Sequence, residues 1–160
     1  MPDIEIGELR RDELPAAGAL LGRAYRDNPF VFIRFGDDRT IGYRRWSAFT
    51  GPGSPPWSRR RSPRGGPDGW RRAESRKREP AEPFWHLGPV GVDVDSQGEG
   101  IGTLMIKQFC ERMDNAGDIA FLGTDVLANV RLYERFGFVT TEESTRFGVH
   151  GWSMLRRPRA

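Results

Sequence analysis

Cysteine and long hydrophobic runs are almost absent from this chain of 160 residues, and each absence excludes a class of protein. The single cysteine, Cys110, cannot form an internal disulfide or support a cluster of thiolate metal ligands. No apolar run approaches the roughly 18 residues that a membrane-spanning helix needs. The opening residues carry acid where a secretory signal peptide would carry base. We therefore expect a soluble, cytoplasmic protein with one domain over residues 1–160 and no membrane partner.

Residues 51–82 lack a whole class of side chains, because they contain no Val, Ile, Leu, Met, Phe or Tyr. Trp57 and Trp70 are the only large apolar residues there, and nine Lys or Arg against four Asp or Glu give the segment a net charge of +5. The whole chain carries +3, so the remainder carries −2. A stretch with so little apolar surface to bury cannot offset the entropy of becoming ordered. We predict that residues 51–82 are disordered and form no strand.

The origin and role of this Arg-rich segment leave several interpretations open. Reading a GC-rich coding region in the wrong frame would give this composition, and so would a natural basic insertion. The arginines and the two tryptophans would also suit pairing with phosphates and stacking on bases, as in a nucleic-acid-binding arm. A solvated charge run explains the same residues more simply, so nucleic acid is not the leading partner.

The most informative stretch runs from Val92 to Gly102, and its pattern is that of a strand entering a glycine-rich turn that opens a helix over about residues 101–115. Glycines let the backbone approach a ligand closely, and the first N–H groups of a helix have no intrahelical partner. These donors and the positive end of the helix dipole favour a phosphate or pyrophosphate. The stretch therefore predicts a cofactor site made mostly of main chain.

Two familiar phosphate-binding loops do not fit this turn. A P-loop needs Lys-Ser or Lys-Thr after its last glycine, whereas Thr103 and Leu104 follow Gly102. A dinucleotide-binding fingerprint needs G-x-G-x-x-G, whereas the glycines here are evenly spaced at 98, 100 and 102. The pattern that does fit is Gln-x-x-Gly-x-Gly, with Gln97, Gly100 and Gly102 in place.

Apolar periodicity and turn residues outline the remaining elements. Along the helix at 101–115, an apolar stripe predicts the packed face and includes Cys110, which we therefore assign to the core rather than to catalysis. The other expected elements are a strand at Ile4 and Ile6, helices from Asp12 to about 26 and from about 39 to 49, a strand over 84–94 interrupted by Gly88-Pro89 and Gly91, a strand over 119–124, a helix over 129–136 ended by Gly137, a hairpin of 138–142 with 145–154, and a solvated tail with Arg156, Arg157 and Arg159.

A second signature lies downstream of the turn, where Asn129 precedes Tyr133 by four residues and Gly137-Phe138 follows. Together with the Gln-x-x-Gly-x-Gly loop, in this order and at this separation, it resembles the paired signatures of the GNAT-type N-acetyltransferase superfamily. The resemblance covers about residues 83–157 and, more faintly, residues 3–50.

This resemblance implies an α/β (α+β) fold, with a mixed, mostly antiparallel sheet flanked by helices. Residues 51–82 stand where the second and third strands of that sheet belong, so those strands are expected to be missing or replaced by the Arg/Pro/Gly-rich segment. A sheet edge exposed by missing strands would favour pairing between two copies of the chain as a homodimer.

The resemblance also implies a reaction, the transfer of an acetyl group from acetyl-CoA as co-substrate to an amine of a small molecule or protein. The main chain at Val92 and Val94, together with Asn129, would bond the pantetheine arm, and an N–H near Val92 would polarise the thioester carbonyl. Tyr133 would protonate the departing coenzyme A sulfur. The pyrophosphate would be held by the loop itself, namely Gln97, Gly98, Glu99, Gly100, Ile101, Gly102 and Thr103.

Other interpretations of these residues stay open. Tyr133 could be an ordinary packed aromatic and Asn129 a helix N-cap, while the carboxylate of Glu99 would oppose the ligand's phosphates and weaken binding. His86 is a candidate general base because imidazole titrates near neutral pH, although a lone strand histidine is more often structural, and Asp125 is a further candidate. The chain could also be a catalytically impaired relative that keeps the cofactor loop. No ligand spacing around a histidine predicts a metal.

Overall fold

The computed structural model describes residues 10–28, 57–60 and 78–159, which divide into two compact units. The first unit contains residues 10–28 and 89–107, and the second contains residues 57–60, 78–88 and 108–159. The strand expected at Ile4 and Ile6 and the helix expected at 39–49 lie outside the described residues. The single domain expected over 1–160 stays a prediction.

In the first unit, helix α1 (Leu14–Ala24) directly follows a 3-10 turn at Arg11–Glu13. Pro15 lies in the first turn of this helix, where the N–H that proline lacks would have no intrahelical acceptor. The predicted helix is confirmed, and it ends at Ala24, before the Arg26-Asp27-Asn28-Pro29 stretch. After residue 88 the unit continues as irregular chain and a 3-10 turn at Val94–Ser96.

Helix α2 (Ile101–Ala116) follows the glycine-rich turn, as the sequence predicts. The apolar stripe along it is confirmed as its packed face, since Ile106, Phe109 and Met113 are buried. Cys110 is buried on the same stripe, and burial raises the pKa of its thiol, which is the opposite of what a reactive thiolate needs. Among the described helices, none is both long enough and apolar enough to span a bilayer.

In the second unit, the residues that the structure describes form one sheet of five strands. Its elements are β1 (Trp57–Arg60), β2 (Phe84–Leu87), β3 (Ile119–Thr124), helix α3 (Leu127–Arg135), β4 (Val139–Arg146) and β5 (Val149–Arg156). The strands lie in the order β1-β2-β3-β5-β4, with β2 and β3 parallel and every other neighbouring pair antiparallel. The mixed, mostly antiparallel sheet implied by the sequence is therefore confirmed, and β3 has the predicted bounds.

Strand β1 contradicts the prediction that residues 51–82 form no strand. It pairs antiparallel with β2, from Trp57 opposite Leu87 to Arg60 opposite Phe84. The prediction was wrong because it relied on apolar content, whereas an edge strand is held by main-chain pairing on one side and tolerates polar residues. The disorder predicted for the rest of the segment falls on residues that lie, apart from 78–82, outside the described part of the chain.

Strand β2 is shorter than the predicted strand over 84–94, because it ends at Leu87. Gly88 has a φ of 146°, a conformation that glycine alone adopts readily, and Pro89 has no N–H to give to a sheet ladder. The sequence predicted that Gly88-Pro89 would interrupt this strand, whereas the strand ends there. Val92 and Val94 consequently lie beyond the sheet, in irregular chain and in the 3-10 turn.

The terminal hairpin is confirmed, but it turns at Phe147 and Gly148 instead of at 143–144. Both turn residues have positive φ, 49° and 81°, which is the geometry of a two-residue type I′ turn. Residues 143 and 144, which the prediction left between the two strands, lie on β4, at the edge of the sheet that the structure describes.

The tail predicted to be solvated contains a buried arginine instead. The side chain of Arg156 is 3% exposed and donates to both carboxylate oxygens of Asp114 on α2, at 2.7 and 2.6 Å. Its Nε donates to the Phe136 carbonyl at 2.7 Å, just past α3, and the N–H of Arg159 donates to Asp114 at 2.8 Å. Arg157 and Arg159 match the prediction, since both are exposed, and Arg157 pairs with Glu82 at the surface. The tail is thus fastened to the ends of α2 and α3.

Candidate active site

The glycine-rich turn of the first unit has a backbone that only glycine adopts without strain. Gly98 and Gly100 have φ of 86° and 83°. This left-handed region costs other L-residues roughly 1–2 kcal/mol. A Cβ at either position would meet no atom within 4 Å, so the demand for glycine comes from backbone conformation and not from crowding. Both glycines are exposed, and helix α2 begins at Ile101 directly after them.

The N–H groups that follow the turn form a candidate anion site. Leu104 donates its N–H to the Gly100 carbonyl at 3.0 Å, which starts the hydrogen-bond ladder of α2. The N–H groups of residues 98–103 have no acceptor within residues 10–28 and 78–159. They lie at the positive end of the helix dipole, and the first turn of α2 contains no acidic side chain. This arrangement favours an anion with several oxygens, such as a pyrophosphate.

Gln97 forms hydrogen bonds within the loop. Its side-chain Nε2 donates to the Val92 carbonyl at 3.2 Å, and its N–H reaches the Val94 carbonyl at 3.4 Å. The sequence assigned Gln97 to the pyrophosphate, and the structure gives its side chain a bond that shapes the loop. Glu99, the residue expected to oppose an anionic ligand, is exposed to solvent. At this exposure its screened repulsion should cost below about 1 kcal/mol.

The stretch before the turn is fastened to helix α1 by Tyr25 and by a close packing contact. The Tyr25 hydroxyl donates to the Val90 carbonyl at 2.8 Å and accepts the N–H of the same residue at 3.2 Å. A Cβ on Gly91 would lie 2.8 Å from Leu21 Cδ2 and 3.1 Å from the Ala24 Cβ. A larger residue at position 91 would therefore displace the Leu21 side chain and crowd the Ala24 Cβ.

An ion pair between Arg23 on α1 and Asp93 strengthens this attachment. The Arg23 Nε and Nη2 donate to the two carboxylate oxygens of Asp93, a fork geometry that suits a guanidinium. The hydrogen bond from Arg23 lowers the pKa of Asp93, so the pair is complete near neutral pH and is lost only when acid protonates the carboxylate. Sequence reasoning gave neither Tyr25 nor Arg23 a role at the site.

Helix α3, in the second unit, carries Asn129 and Tyr133. Residues four apart share one face of a helix, so the two side chains project from the same face of α3. Tyr133 is buried, with its ring centroid 5.7 Å from that of Phe138 in an edge-to-face arrangement. The N-cap interpretation of Asn129 is wrong, because the cap is Val126, which has extended backbone and donates its N–H to the Thr124 hydroxyl at 3.3 Å. Asn129 lies inside the first turn and is half-buried.

His86, the candidate base, lies on β2 in register with Phe121 of β3. Their ring centroids are 6.3 Å apart, and His86 is half-buried. Its neighbour Trp85 projects from the other sheet face and donates its indole N–H to Asp118 at 2.7 Å. Asp125, the other candidate, follows β3 and is half-buried. Within the described residues, no three His, Cys, Asp or Glu side chains converge as ligands for a metal ion.

Comparison with known proteins decides the family. Residues 7–138 match the model of the acetyltransferase (GNAT) family, which is most of the chain. The chain belongs to the GNAT acetyltransferase family. Acetyl transfer is the activity that defines this family. The resemblance drawn from the glycine-rich turn and the Asn-Tyr signature is confirmed.

Solved structures support the GNAT fold over the whole length. Histone acetyltransferase HPA2 and related acetyltransferase from Corynebacterium glutamicum superposes with a TM-score of 0.69 at 16% identity, over 96% of each chain. An N-acetyltransferase of a ribosomal-protein alanine from Escherichia coli gives 0.62 at 15% identity, over 98% of this chain and 95% of its own. The protein yncA from Salmonella typhimurium, solved with its cofactor acetyl-CoA, gives 0.61 at 16% identity, over 99% and 95%. At these identities the likeness concerns the fold alone.

In this GNAT chain, the turn contains two glycines with positive φ on either side of the exposed Glu99. Its N–H groups and those of the first turn of α2 have no acceptor in residues 10–28 and 78–159. The N–H of Val92, before the turn, likewise has no acceptor among residues 10–28 and 78–159.

Proposed function

We propose that this GNAT chain transfers an acetyl group from acetyl-CoA to an amine of a small molecule or a protein. The observation that supports it most directly is the run of N–H groups over residues 98–103, which includes two glycines with positive φ and the first residues of α2. In this role they bind the pyrophosphate of acetyl-CoA. The main chain at Val92 and Val94 and the residue Asn129 bind the pantetheine arm.

The chemistry needs few side chains. The neutral amine attacks the thioester carbonyl carbon, a C–N bond forms, and the C–S bond then breaks with release of a thiolate. An N–H near Val92 stabilises the charge that develops on the carbonyl oxygen. Tyr133 donates a proton to the departing sulfur, since a phenol keeps its proton at neutral pH. His86 accepts the proton that the amine loses, directly or through water.

The acceptor is proposed only as a class. Solved GNAT structures include one named for a ribosomal-protein alanine and one named as an aminoglycoside 6'-N-acetyltransferase, so both protein and small-molecule amines are acceptors on this fold. The cytoplasmic location, the pairing of two copies and a nucleic-acid role for residues 51–82 stay predictions.

The direct test is release of coenzyme A from acetyl-CoA with a panel of small amines and peptide N-termini, paired with calorimetry of coenzyme A binding. Release that depends on both acetyl-CoA and an amine supports the proposed activity. Binding of coenzyme A without turnover, across the whole panel, would instead favour a catalytically impaired relative. No binding at all would refute both.

Substitution of Gly100 tests the loop. Gly100→Ala should weaken coenzyme A binding about 10-fold, because alanine pays roughly 1–2 kcal/mol to hold the φ of the turn. Gly100→Asn should lose less affinity, since asparagine tolerates this region better. Calorimetry of the two variants against the wild type measures the difference. Equal affinities in all three would show that the backbone of the turn does not hold the ligand.

A further inference from the structure

Both main-chain groups of one residue, Val90, are taken by a single side chain. The Tyr25 hydroxyl accepts its N–H and donates to its carbonyl, at 3.2 and 2.8 Å. In a sheet, these two groups would pair with a neighbouring strand. A residue bonded in this way cannot extend a ladder, and His86 is the last residue of β2 that pairs with β3.

The residues on the far side of Val90 are fixed as well. Gly91 packs so closely on α1 that a Cβ would lie 2.8 Å from Leu21 Cδ2. The Val92 carbonyl accepts the side chain of Gln97, whereas the Val92 N–H has no acceptor in the described part of the chain. The contacts around Tyr25 thus hold the backbone that presents this N–H.

We propose that Tyr25 is a positioning residue for the pantetheine arm of acetyl-CoA. Its hydroxyl fixes residues 90–92 in one conformation, in which the Val92 N–H stays available to the ligand, and so removes an entropy cost that binding would otherwise include. This role rests on the proposed function, because it assigns a partner to that N–H. Tyr25 does not touch the reacting atoms in this scheme.

Comparing the affinities for two ligands distinguishes this positioning role from a general effect on the fold. Coenzyme A contains both the pyrophosphate and the pantetheine arm, whereas adenosine 3′-phosphate 5′-diphosphate contains the pyrophosphate without the arm. Tyr25→Phe keeps the ring and removes both hydrogen bonds to Val90. It should weaken coenzyme A binding about 10-fold, as expected for two hydrogen bonds of ordinary strength. Its affinity for adenosine 3′-phosphate 5′-diphosphate should equal that of the wild type. In the steady state, the KM for acetyl-CoA should rise while the KM for the amine stays constant.

A matched control removes a hydrogen bond elsewhere. Trp85→Phe loses the indole bond to Asp118 at 2.7 Å, and it should keep the wild-type ratio of the two affinities even if it lowers the melting temperature. Equal loss of both ligands in Tyr25→Phe, or loss of neither, would overturn the positioning role while leaving the proposed function in place. A wild type that binds neither ligand would overturn the proposed function and this role with it.

Discussion

Tyr133→Phe should lower kcat for acetyl transfer about 10²-fold or more, the usual contribution of a general acid. The variant removes the proton that we propose is given to the coenzyme A sulfur. It keeps the aromatic ring, which packs edge-to-face on Phe138, so the fold should be retained. The measurement is steady-state release of coenzyme A, with the wild type and the variant compared at saturating acetyl-CoA.

Two further measurements on Tyr133→Phe show whether the loss of kcat comes from the chemical step. Calorimetry should give Tyr133→Phe the same affinity for coenzyme A as the wild type, because the loss is confined to the transition state. Its melting temperature should be measured alongside, so that a loss of kcat can be distinguished from a loss of fold. An unaltered kcat would contradict the assignment and leave Tyr133 as a packed core aromatic.

Asp114→Ala should lower the free energy of unfolding by up to about 3 kcal/mol, the lower end of the loss for a fully buried ion pair, because the Asp114 side chain is 26% exposed. The reason is Arg156, whose side chain is only 3% exposed and would keep its charge without its carboxylate partner. The double variant Asp114→Ala with Arg156→Met should recover much of that loss, because an apolar side chain of similar length needs no counter-charge. Urea titration of the two variants measures the difference. Equal loss in both would contradict this account.

An exposed ion pair supplies the control for Asp114. Glu82→Ala removes a pair with Arg157 in which the two side chains are 50% and 64% exposed, so stability should change little. The pH dependence of stability gives a second test of the pair between Asp114 and Arg156. Hydrogen bonds from Arg156 lower the pKa of Asp114, so the pair contributes fully above the unfolded value of about pH 4. Its contribution disappears as the pH falls through the lowered pKa.

Local patterns made much of the fold and site predictable. The glycine spacing and the apolar stripe predicted the turn and helix α2, because both signals lie within about 20 residues of contiguous sequence. The short apolar run at 119–124 predicted β3 with its bounds for the same reason. Cys110 was assigned to the core correctly, since its position on the stripe required nothing beyond periodicity.

What the sequence did not predict depends on contacts between distant residues. Arg156 looked like part of a solvated tail, because its partner Asp114 lies 42 residues away on another element. Tyr25 forms hydrogen bonds with Val90, which lies 65 residues away in the sequence, and no sequence pattern around either residue predicts them. Strand β1 was missed because pairing with β2 is a property of the backbone and leaves no apolar alternation.

The most direct measurement of the central claim is a crystal structure of the chain with coenzyme A. The account predicts pyrophosphate oxygens within about 3.2 Å of main-chain N–H groups between residues 98 and 103. A pyrophosphate bound elsewhere, or those N–H groups bonded to the protein itself in the complex, would contradict it.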